Sequence, residues 1–259
     1  MELPLMARVN RERVLLVGGQ RALVMQLAHP AVAAGVAQHS DFPSRALERL
    51  RRTLDLSLAV IYGSPDEAEA ATASIRAVHE RVGGMVGDRP YRADDPDLLL
   101  WVNATLVDTT LVVYERFVRP LSEVDRRAYY DESVVAAELF GIPRRVIPND
   151  LGGFHAYLQG MLEGPELRAT DDSRRLVHDV LRPPLPLPLR PPTAVVRHIT
   201  LSLLPARIRE LFGLRSGIRA RAAATAASLL SRTALPLVPS VIREFSAARE
   251  SARSRAPRQ

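Results

Sequence analysis

Six histidines in this sequence have side chains that can act in acid–base chemistry or bind a metal ion. No two of them are four residues apart and no HExxH motif occurs, so a helical zinc site is not indicated. GxSxG, Walker and GxGxxG motifs are also absent. One histidine stands on the apolar stripe of a predicted helix, four residues after Ile75 and three before Val82. The six are His29, His39, His79, His155, His178 and His198.

The histidine on the stripe, His79, has two interpretations. A histidine in a protein core must satisfy two ring nitrogens, and most buried polar groups do so through the backbone. In that case His79 is a structural residue bonded to a carbonyl. In the second interpretation it is an axial ligand of haem iron, with one ring nitrogen on the metal and the other held by a carbonyl or carboxylate.

Arg49 and Thr53 are four residues apart on the preceding predicted helix, so they share a face, and that face borders the apolar stripe. A guanidinium and a hydroxyl at this place can anchor a haem propionate, polarise oxygen or position a water. In the alternative, Arg49 pairs with Glu48 or Asp55 at the surface, and Thr53 bonds back to its own helix. The spacing by itself favours neither.

The helix that carries His79 has the clearest boundaries in the chain. Ser64 is typical of an N-cap, Pro65 of the first helical position and Glu67 of the third position in a capping box. Gly83-Gly84 is predicted to end the helix.

Helical periodicity extends over most of the chain, and no hairpin signal or run of strict alternation is convincing. A break is expected at Pro30, because proline interrupts a helix. Predicted helices cover residues 14–27, 31–37, 45–61, 64–82, 95–117, 125–140, 153–162, 193–204, 205–212 and 216–234.

Residues 1–240 are predicted to form a single all-α domain whose core is mainly Leu, Val and Ala, since aromatic residues are only 5% of the chain. Residues 182–192, RPPLPLPLRPP, are predicted to be an extended strap, because such a proline-rich run favours polyproline geometry. Residues 241–259 are basic and predicted to be a flexible tail.

Cysteine is absent, which excludes disulfides, thiolate-ligated haem and iron–sulfur clusters. The formal net charge of +6 comes with 35 basic residues, all arginine, and either nucleic-acid or anionic-membrane binding or a GC-rich codon bias explains it. We favour codon bias and expect no nucleic-acid partner, because no nucleic-acid-binding motif is present.

The N-terminal residues do not have the long apolar run and cleavage site of a secretory signal. The apolar stretch over residues 14–37 contains Arg21, His29 and Pro30, so it is a poor membrane span. We therefore predict a cytoplasmic protein without stable membrane insertion, and the sequence leaves its oligomeric state undetermined.

Five sequence segments, in order and at fixed spacing, resemble a bacterial family related to the latex-clearing rubber oxygenases and to the fungal oxygenase of mycophenolic acid biosynthesis. The resemblance is good over residues 11–162 and weaker in the last third. The segments are GGQRALVMQLAHPAVAAGVAQHSDF (residues 18–42), RLRRT (49–53), IYGSPDEAEAA (61–71), IRAVHERV (75–82) and YRADDPDLLLWVNATLVDT (91–109).

The resemblance implies a globin-like, all-α fold around haem b, with further helices at the C-terminal end. It also implies that His79 is the proximal iron ligand, and that Arg49 and Thr53 lie beside the haem as cofactor-binding and catalytic residues. Rubber-cleaving members are exported and use a glutamate upstream of the arginine as a base, whereas this chain has no acid between Arg21 and Asp41. Where some members carry a lysine before the threonine, this chain has Arg52, which stays protonated and does not ligate iron.

We therefore predict a haem b-dependent oxygenase that uses O2 on a hydrophobic, isoprenoid- or lipid-like substrate, with rubber cleavage itself not expected. The alternatives are a non-catalytic helical protein that binds a hydrophobic ligand and a haem sensor or carrier.

Overall fold

The computed structural model describes residues 3–39, 53–183 and 190–254, and it confirms the all-α fold class. Short 3₁₀ segments lie at Arg13–Gly18, Arg144–Val146 and Leu235–Leu237. The α-helices are α1 (Leu5–Asn10), α2 (Gly19–Gln26), α3 (Pro30–His39), α4 (Thr53–Tyr62), α5 (Pro65–His79), α6 (Pro96–Phe117), α7 (Glu123–Leu139), α8 (Leu151–Glu163), α9 (Asp171–Leu181), α10 (Arg190–Leu203), α11 (Ala206–Leu211), α12 (Ile218–Ala234), α13 (Ser240–Arg243) and α14 (Ser246–Ser254).

The core is built around α6, which packs against α2, α7 and α12. Asp95 caps this helix by accepting a hydrogen bond from the Asp97 N–H at 2.9 Å, and Pro96 occupies the first turn, where its missing N–H costs no helical bond. Trp101 and Val113 are fully buried on its inner face. Burial of apolar side chains stabilises the fold. Trp101 is the one tryptophan of the chain, so its burial contributes a large apolar area at a single position.

By length and composition alone, α6 also qualifies as a candidate membrane span, the one such helix in the part of the chain that the structure describes. Half of its most apolar stretch is buried inside the fold. Core helices of ordinary globular proteins meet the same criteria, so this finding is weak support for a membrane-spanning role.

The N-terminal half of α5 follows its sequence signals. Ser64 Oγ accepts a hydrogen bond from the Glu67 N–H at 3.2 Å, while the Glu67 carboxylate accepts one from the Ser64 N–H at 2.7 Å. This capping box, with Pro65 at the first helical position, confirms the predicted start of the helix. The helix ends at His79, four residues before the predicted stop.

The glycines expected to end α5 belong instead to a two-stranded antiparallel hairpin, β1 (Gly83–Val86) and β2 (Arg89–Arg92), so the expectation of no hairpin is wrong. The loop between the strands is Gly87-Asp88, and Gly87 has a φ of +58°. Glycine reaches such left-handed conformations without steric cost, which makes a Gly-Asp pair a recognisable turn signal.

A buried arginine ties α2 to α6 and to the end of α10. The Arg21 side chain is 3% exposed, and its Nη2 donates to Asp108 at 2.7 Å. Its Nη1 donates to Thr109 Oγ1 at 2.6 Å and its Nε to the Leu203 carbonyl at 2.9 Å. All three nitrogens of the guanidinium are therefore partnered, as a buried charge requires.

The extended strap predicted over residues 182–192 overlaps a helix at its C-terminal end. Residues 184–189 lie outside the described part of the chain, and α10 already begins at Arg190. Pro191 and Pro192 therefore fall in the first turn of a helix, where proline is tolerated. Upstream, α9 was not predicted, although Thr170 and Ser173 form a reciprocal cap at its start.

In place of the flexible tail expected from residue 241, the described part of the C-terminus folds into α13 and α14. Ala248 and Ser251 are three residues apart on α14 and are both buried. Ala248 forms a small apolar cluster with Ala7 of α1 and Tyr62 of α4. The arginine-rich composition hides this stripe of small residues, which is enough to seat a short helix.

Two arginines and two glutamates join the beginning of the chain to its end. Glu12 and Glu244 pair their backbones as an isolated antiparallel bridge, and both are buried. Arg11 Nε lies 3.5 Å from a carboxylate oxygen of each glutamate, and Arg243 Nη2 lies 2.6 Å from Glu244. Burial raises the pKa of Glu12 against the opposing charges of Arg243 and Arg11. The cluster holds two charges of each sign, so its net charge is zero.

Candidate cofactor site

His79 is the last residue of α5 and is half-buried. Its Nδ1 is buried but has no hydrogen-bond partner in the described structure. Burial lowers the pKa of His79 below its ordinary value of 6.5, and the charge of Asp94 acts in the opposite direction. The imidazole is therefore held neutral with an unpaired ring nitrogen, which is the form that binds a metal. Bonding to a backbone carbonyl, the structural interpretation of His79, is not found at this nitrogen.

The surroundings of His79 are less buried than the sequence pattern indicated. Val78, next to His79, is 46% exposed, and Ile75 on the apolar stripe is only partly buried. The buried residues of α5 lie in its first half, at Ala68, Ala71 and Thr72. The last two turns of α5 thus present a partly uncovered face.

The sequence analysis did not identify the carboxylate whose charge acts on the pKa of His79, which is Asp94. Asp94 follows β2, and its Oδ2 lies 2.7 Å from Arg92 Nη2. The hydrogen bond from Arg92 lowers the pKa of Asp94, so the carboxylate stays charged. The hairpin reverses the direction of the chain after α5, and backbone hydrogen bonds hold this reversal, such as the one from the Ala93 N–H to the Val82 carbonyl at 2.9 Å. The reversal brings Asp94 back towards His79. Only the hairpin, which was not predicted, reveals this proximity.

Thr53 opens the described part of α4 and is exposed. Its carbonyl accepts a hydrogen bond from Ser57 Oγ at 2.8 Å, whereas back-bonding by the Thr53 hydroxyl was the alternative expected from sequence. The opposite end of α4 is anchored by Tyr62, whose hydroxyl donates to the Ala7 carbonyl at 2.6 Å. Arg49 and Arg52 lie outside the described residues. The arrangement of Arg49, Thr53 and His79 around one group therefore stays a prediction.

The other histidines that the family pattern highlights have local roles. His29 Nδ1 accepts a hydrogen bond from the Ala31 N–H at 3.2 Å and so caps the start of α3. Burial lowers the pKa of His29, with an opposing contribution from Glu166. His39 Nε2 is 2.8 Å from the Gly83 carbonyl, and this exposed contact joins α3 to the hairpin.

Two clefts accompany these elements, and neither His79 nor Thr53 lines either of them. The first, of about 370 Å³, lies over the Arg21–Asp108 pair between α2, α8 and α11, with Leu158 and Leu162 in its wall. The second, of about 440 Å³, is lined by Asp94 and its neighbours in β2 and at the start of α6. Among the residues with described positions, no three His, Asp or Glu side chains are grouped closely enough to hold a metal ion together.

The donor chemistry at His79 fits haem. A porphyrin supplies four of the iron's ligands, so the protein needs to provide one axial nitrogen. The neutral imidazole with its orphaned, buried Nδ1 can provide that donor. The charge of Asp94 acts on His79, but the Asp94 carboxylate is hydrogen-bonded to Arg92 and does not pair with His79 Nδ1.

The fold is all-α, and its candidate site is a histidine at the end of α5 with an unpartnered ring nitrogen. The family described as "ER-bound oxygenase mpaB/B'/Rubber oxygenase, catalytic domain" matches residues 6–234. The chain belongs to this family. The resemblance seen in the sequence motifs is thereby confirmed.

Similar curated proteins add little about function. An uncharacterized protein of Mycobacterium bovis and one of Mycobacterium tuberculosis are each 25% identical to this chain over 152 residues, which is 57% of this chain and 60% of the relative. The matched region thus spans somewhat more than half the length of these relatives. No solved structure matches the chain.

Proposed function

We propose that the chain is a haem b-dependent oxygenase that acts on a hydrophobic, isoprenoid- or lipid-like substrate with O2. The observation that supports this most is the neutral, half-buried His79, whose Nδ1 lacks a partner, within a chain of the oxygenase family. When bound, haem supplies an iron centre that activates dioxygen.

His79 would hold the haem through one ring nitrogen, and Asp94 would favour one orientation of the ring through its negative charge. Arg49 and Thr53 would hydrogen-bond a haem propionate or the dioxygen substrate, because a guanidinium near a carboxylate gives a strong, oriented pair. The apolar character of the substrate is inferred from the family and from the aliphatic composition of the chain, which has few aromatic and no cysteine side chains.

The test is the haem content of three purified proteins from haem-replete cells, measured by the pyridine haemochrome assay and by the Soret band. The parent should contain haem, and His79→Ala should lose nearly all of it while keeping its helical circular dichroism. His178→Ala is the matched control, because His178 is 60% exposed beside Asp179 on α9. Full haem content and an unchanged spectrum in His79→Ala would overturn the assignment of the ligand.

Oxygen consumption separates an oxygenase from a haem carrier or sensor. The haem-loaded parent should consume O2 in the presence of small isoprenoid or fatty substrates, and a carrier should not. Polyisoprene latex should be a poor substrate, because the stretch between Arg21 and Asp41 has no carboxylate to act as the base. Efficient release of aldehyde- and ketone-ended oligomers would contradict that restriction.

Arg49→Ala and Thr53→Val test the remaining two assignments. Arg49→Ala should lower haem affinity or alter the spectrum with little change in helical content. Thr53→Val keeps the side-chain volume and removes the hydroxyl, and because Thr53 is exposed we expect a milder loss of activity, about 1 kcal/mol in the barrier. Variants with a lower melting temperature than the parent but with normal haem content and turnover would show that both residues are structural.

A further inference from the structure

The outward face of α12 is unusually apolar. Its inner stripe of Ala220, Ala224 and Ser228 is buried against the rest of the fold. On the opposite side, Leu229 and Leu230 are 59% and 69% exposed. A helix of an ordinary globular domain places polar residues at such positions.

The apolar exposure continues beyond the end of α12. Leu237 in the following 3₁₀ segment is 84% exposed, and Val241 and Ile242 of α13 are about equally uncovered at 59% and 61%. Ile218, at the start of α12, is also exposed. We call these six aliphatic residues the C-terminal apolar patch: Ile218, Leu229, Leu230, Leu237, Val241 and Ile242.

The segment that carries the patch has no negative charge. Between Glu210 and Glu244 the sequence contains no aspartate or glutamate. Over the same residues it has five arginines: Arg215, Arg219, Arg221, Arg232 and Arg243. Of these, Arg215, Arg221 and Arg232 are exposed, and Arg232 Nη2 donates a hydrogen bond to the Glu115 carbonyl. Exposed aliphatic side chains beside cations, with anions excluded, are the combination found in helices that lie on anionic membranes.

We propose that the C-terminal apolar patch is a docking surface for an anionic lipid bilayer, with the aliphatic side chains entering the interface and the arginines contacting lipid phosphates. Arginine suits this task because its guanidinium binds phosphate oxygens in a bidentate manner and its stem can lie along apolar surface. Such a helix lies in the interfacial plane and does not span the membrane.

Charge and residue type favour a bilayer over two other occupants. In a two-fold dimer the same surface faces itself, so this acid-free segment would oppose its own arginines without carboxylates to pair with them. Single-stranded nucleic acid is bound by stacking on aromatic side chains, and the segment between Phe212 and Phe245 has no aromatic residue. An anionic bilayer satisfies both the charge and the apolar surface.

The experiment is co-sedimentation of the full chain with vesicles of phosphatidylcholine alone and of phosphatidylcholine mixed equally with phosphatidylglycerol. We expect binding to the mixed vesicles that weakens as salt is raised, and at most weak binding to the neutral ones. Leu230→Ser with Leu237→Ser should lower the affinity about tenfold, because both side chains lose their apolar contact with lipid. Arg215→Gln with Arg221→Gln should cause a similar loss on the mixed vesicles only.

The matched control is Val124→Ser with Val135→Ser on α7. These valines are 77% and 60% exposed, much like the patch residues, but α7 also carries five acids. The control should bind vesicles as the parent does. Because every substituted residue is exposed at the surface, the circular dichroism spectrum and the melting temperature should be unchanged in all variants.

Three results would overturn the proposal. The first is no binding to the mixed vesicles. The second is equal loss of binding in the α7 control. The third is a dimer in sedimentation velocity, without lipid, that Leu230→Ser with Leu237→Ser dissociates, which would make the patch an interface between copies of this chain.

Discussion

α5 and α6 begin with the same local signal and end in different environments. Each starts with a polar cap followed by proline, Ser64-Pro65 in one helix and Asp95-Pro96 in the other. α6 then buries side chains along its whole length, whereas α5 buries residues only in its first half. The difference shows that α6 is packed into the core from end to end along one face. The last turns of α5, with His79, are only partly covered by the described residues.

The largest expected effect of a single substitution is at Trp101 in the middle of α6. Trp101→Ala should destabilise the protein by about 3–5 kcal/mol, because it removes a fully buried indole and leaves a cavity. Urea unfolding followed by circular dichroism measures this change. Trp101→Phe is the control: it keeps most of the packing and removes an Nε1–H that has no partner in the described structure, so its cost should be much smaller. Equal losses in both variants would show that the indole N–H, and not the volume, matters.

Arg21 should have the next largest effect, because its ion pair attaches α2 to α6. Arg21→Met leaves the Asp108 carboxylate without its partner and should cost about 3 kcal/mol in unfolding free energy. Adding Asp108→Leu to that variant should recover part of the loss, since an apolar pair tolerates burial. If the double variant were no more stable than Arg21→Met, the bonds to Thr109 and Leu203 would be the important ones.

The comparison also explains how far the sequence could be read. Caps such as those at Ser64 and Asp95 are local, so the starts of α5 and α6 followed directly from residue types. The end of α5 depends on contacts across the chain. A Cβ on Gly84 would lie 2.3 Å from Gln38 Oε1, so this glycine serves close packing of β1 on α3, and no nearby residue signals that.

The candidate site shows the same division between local and distant information. His79 was selected by helical spacing and by the family motif, and its neutral state could not be read from the sequence because it depends on burial. The effect of Asp94 on His79 depends on the hairpin. The sequence does hold a local signal for that hairpin, because the pair Gly87-Asp88 favours a two-residue turn. Arg21 and Asp108 are 87 residues apart, and neither residue type indicates its partner.

A smaller effect, about 1 kcal/mol, is expected from removing the cap of α5. Ser64→Ala deletes the acceptor for the Glu67 N–H and so weakens the first turn. Asp95→Ala removes the corresponding cap of α6 and is the paired variant. Hydrogen exchange distinguishes the two helices: faster exchange should spread along α5, which is little buried, but stay within the first turn of α6. Spreading along both helices equally would mean that they are equally dependent on their caps.

The last prediction concerns pH and His29, whose ring caps the start of α3. Because burial places the folded-state pKa of His29 below 6.5, both states are neutral above that pH and the stabilising contribution is complete. As the pH falls below 6.5, the unfolded state takes up a proton first, so stability should decline until the folded state also protonates. Urea titrations at about pH 7.5 and about pH 5.5 measure this decline. His29→Asn keeps an acceptor for Ala31 and should flatten the slope; an unchanged slope would assign it to other groups.

The bridge between Glu12 and Glu244 has a consequence for the order of folding. Its partners are separated by nearly the whole chain, as are Ala7 and Ala248 in the cluster above it. During synthesis the segment around Glu12 emerges well before the segment around Glu244 that carries its partners. Loop closure over such a distance is slow. We therefore expect the apolar faces of α1 and α4 to stay exposed to solvent until α14 docks, after the helices around α6 have packed.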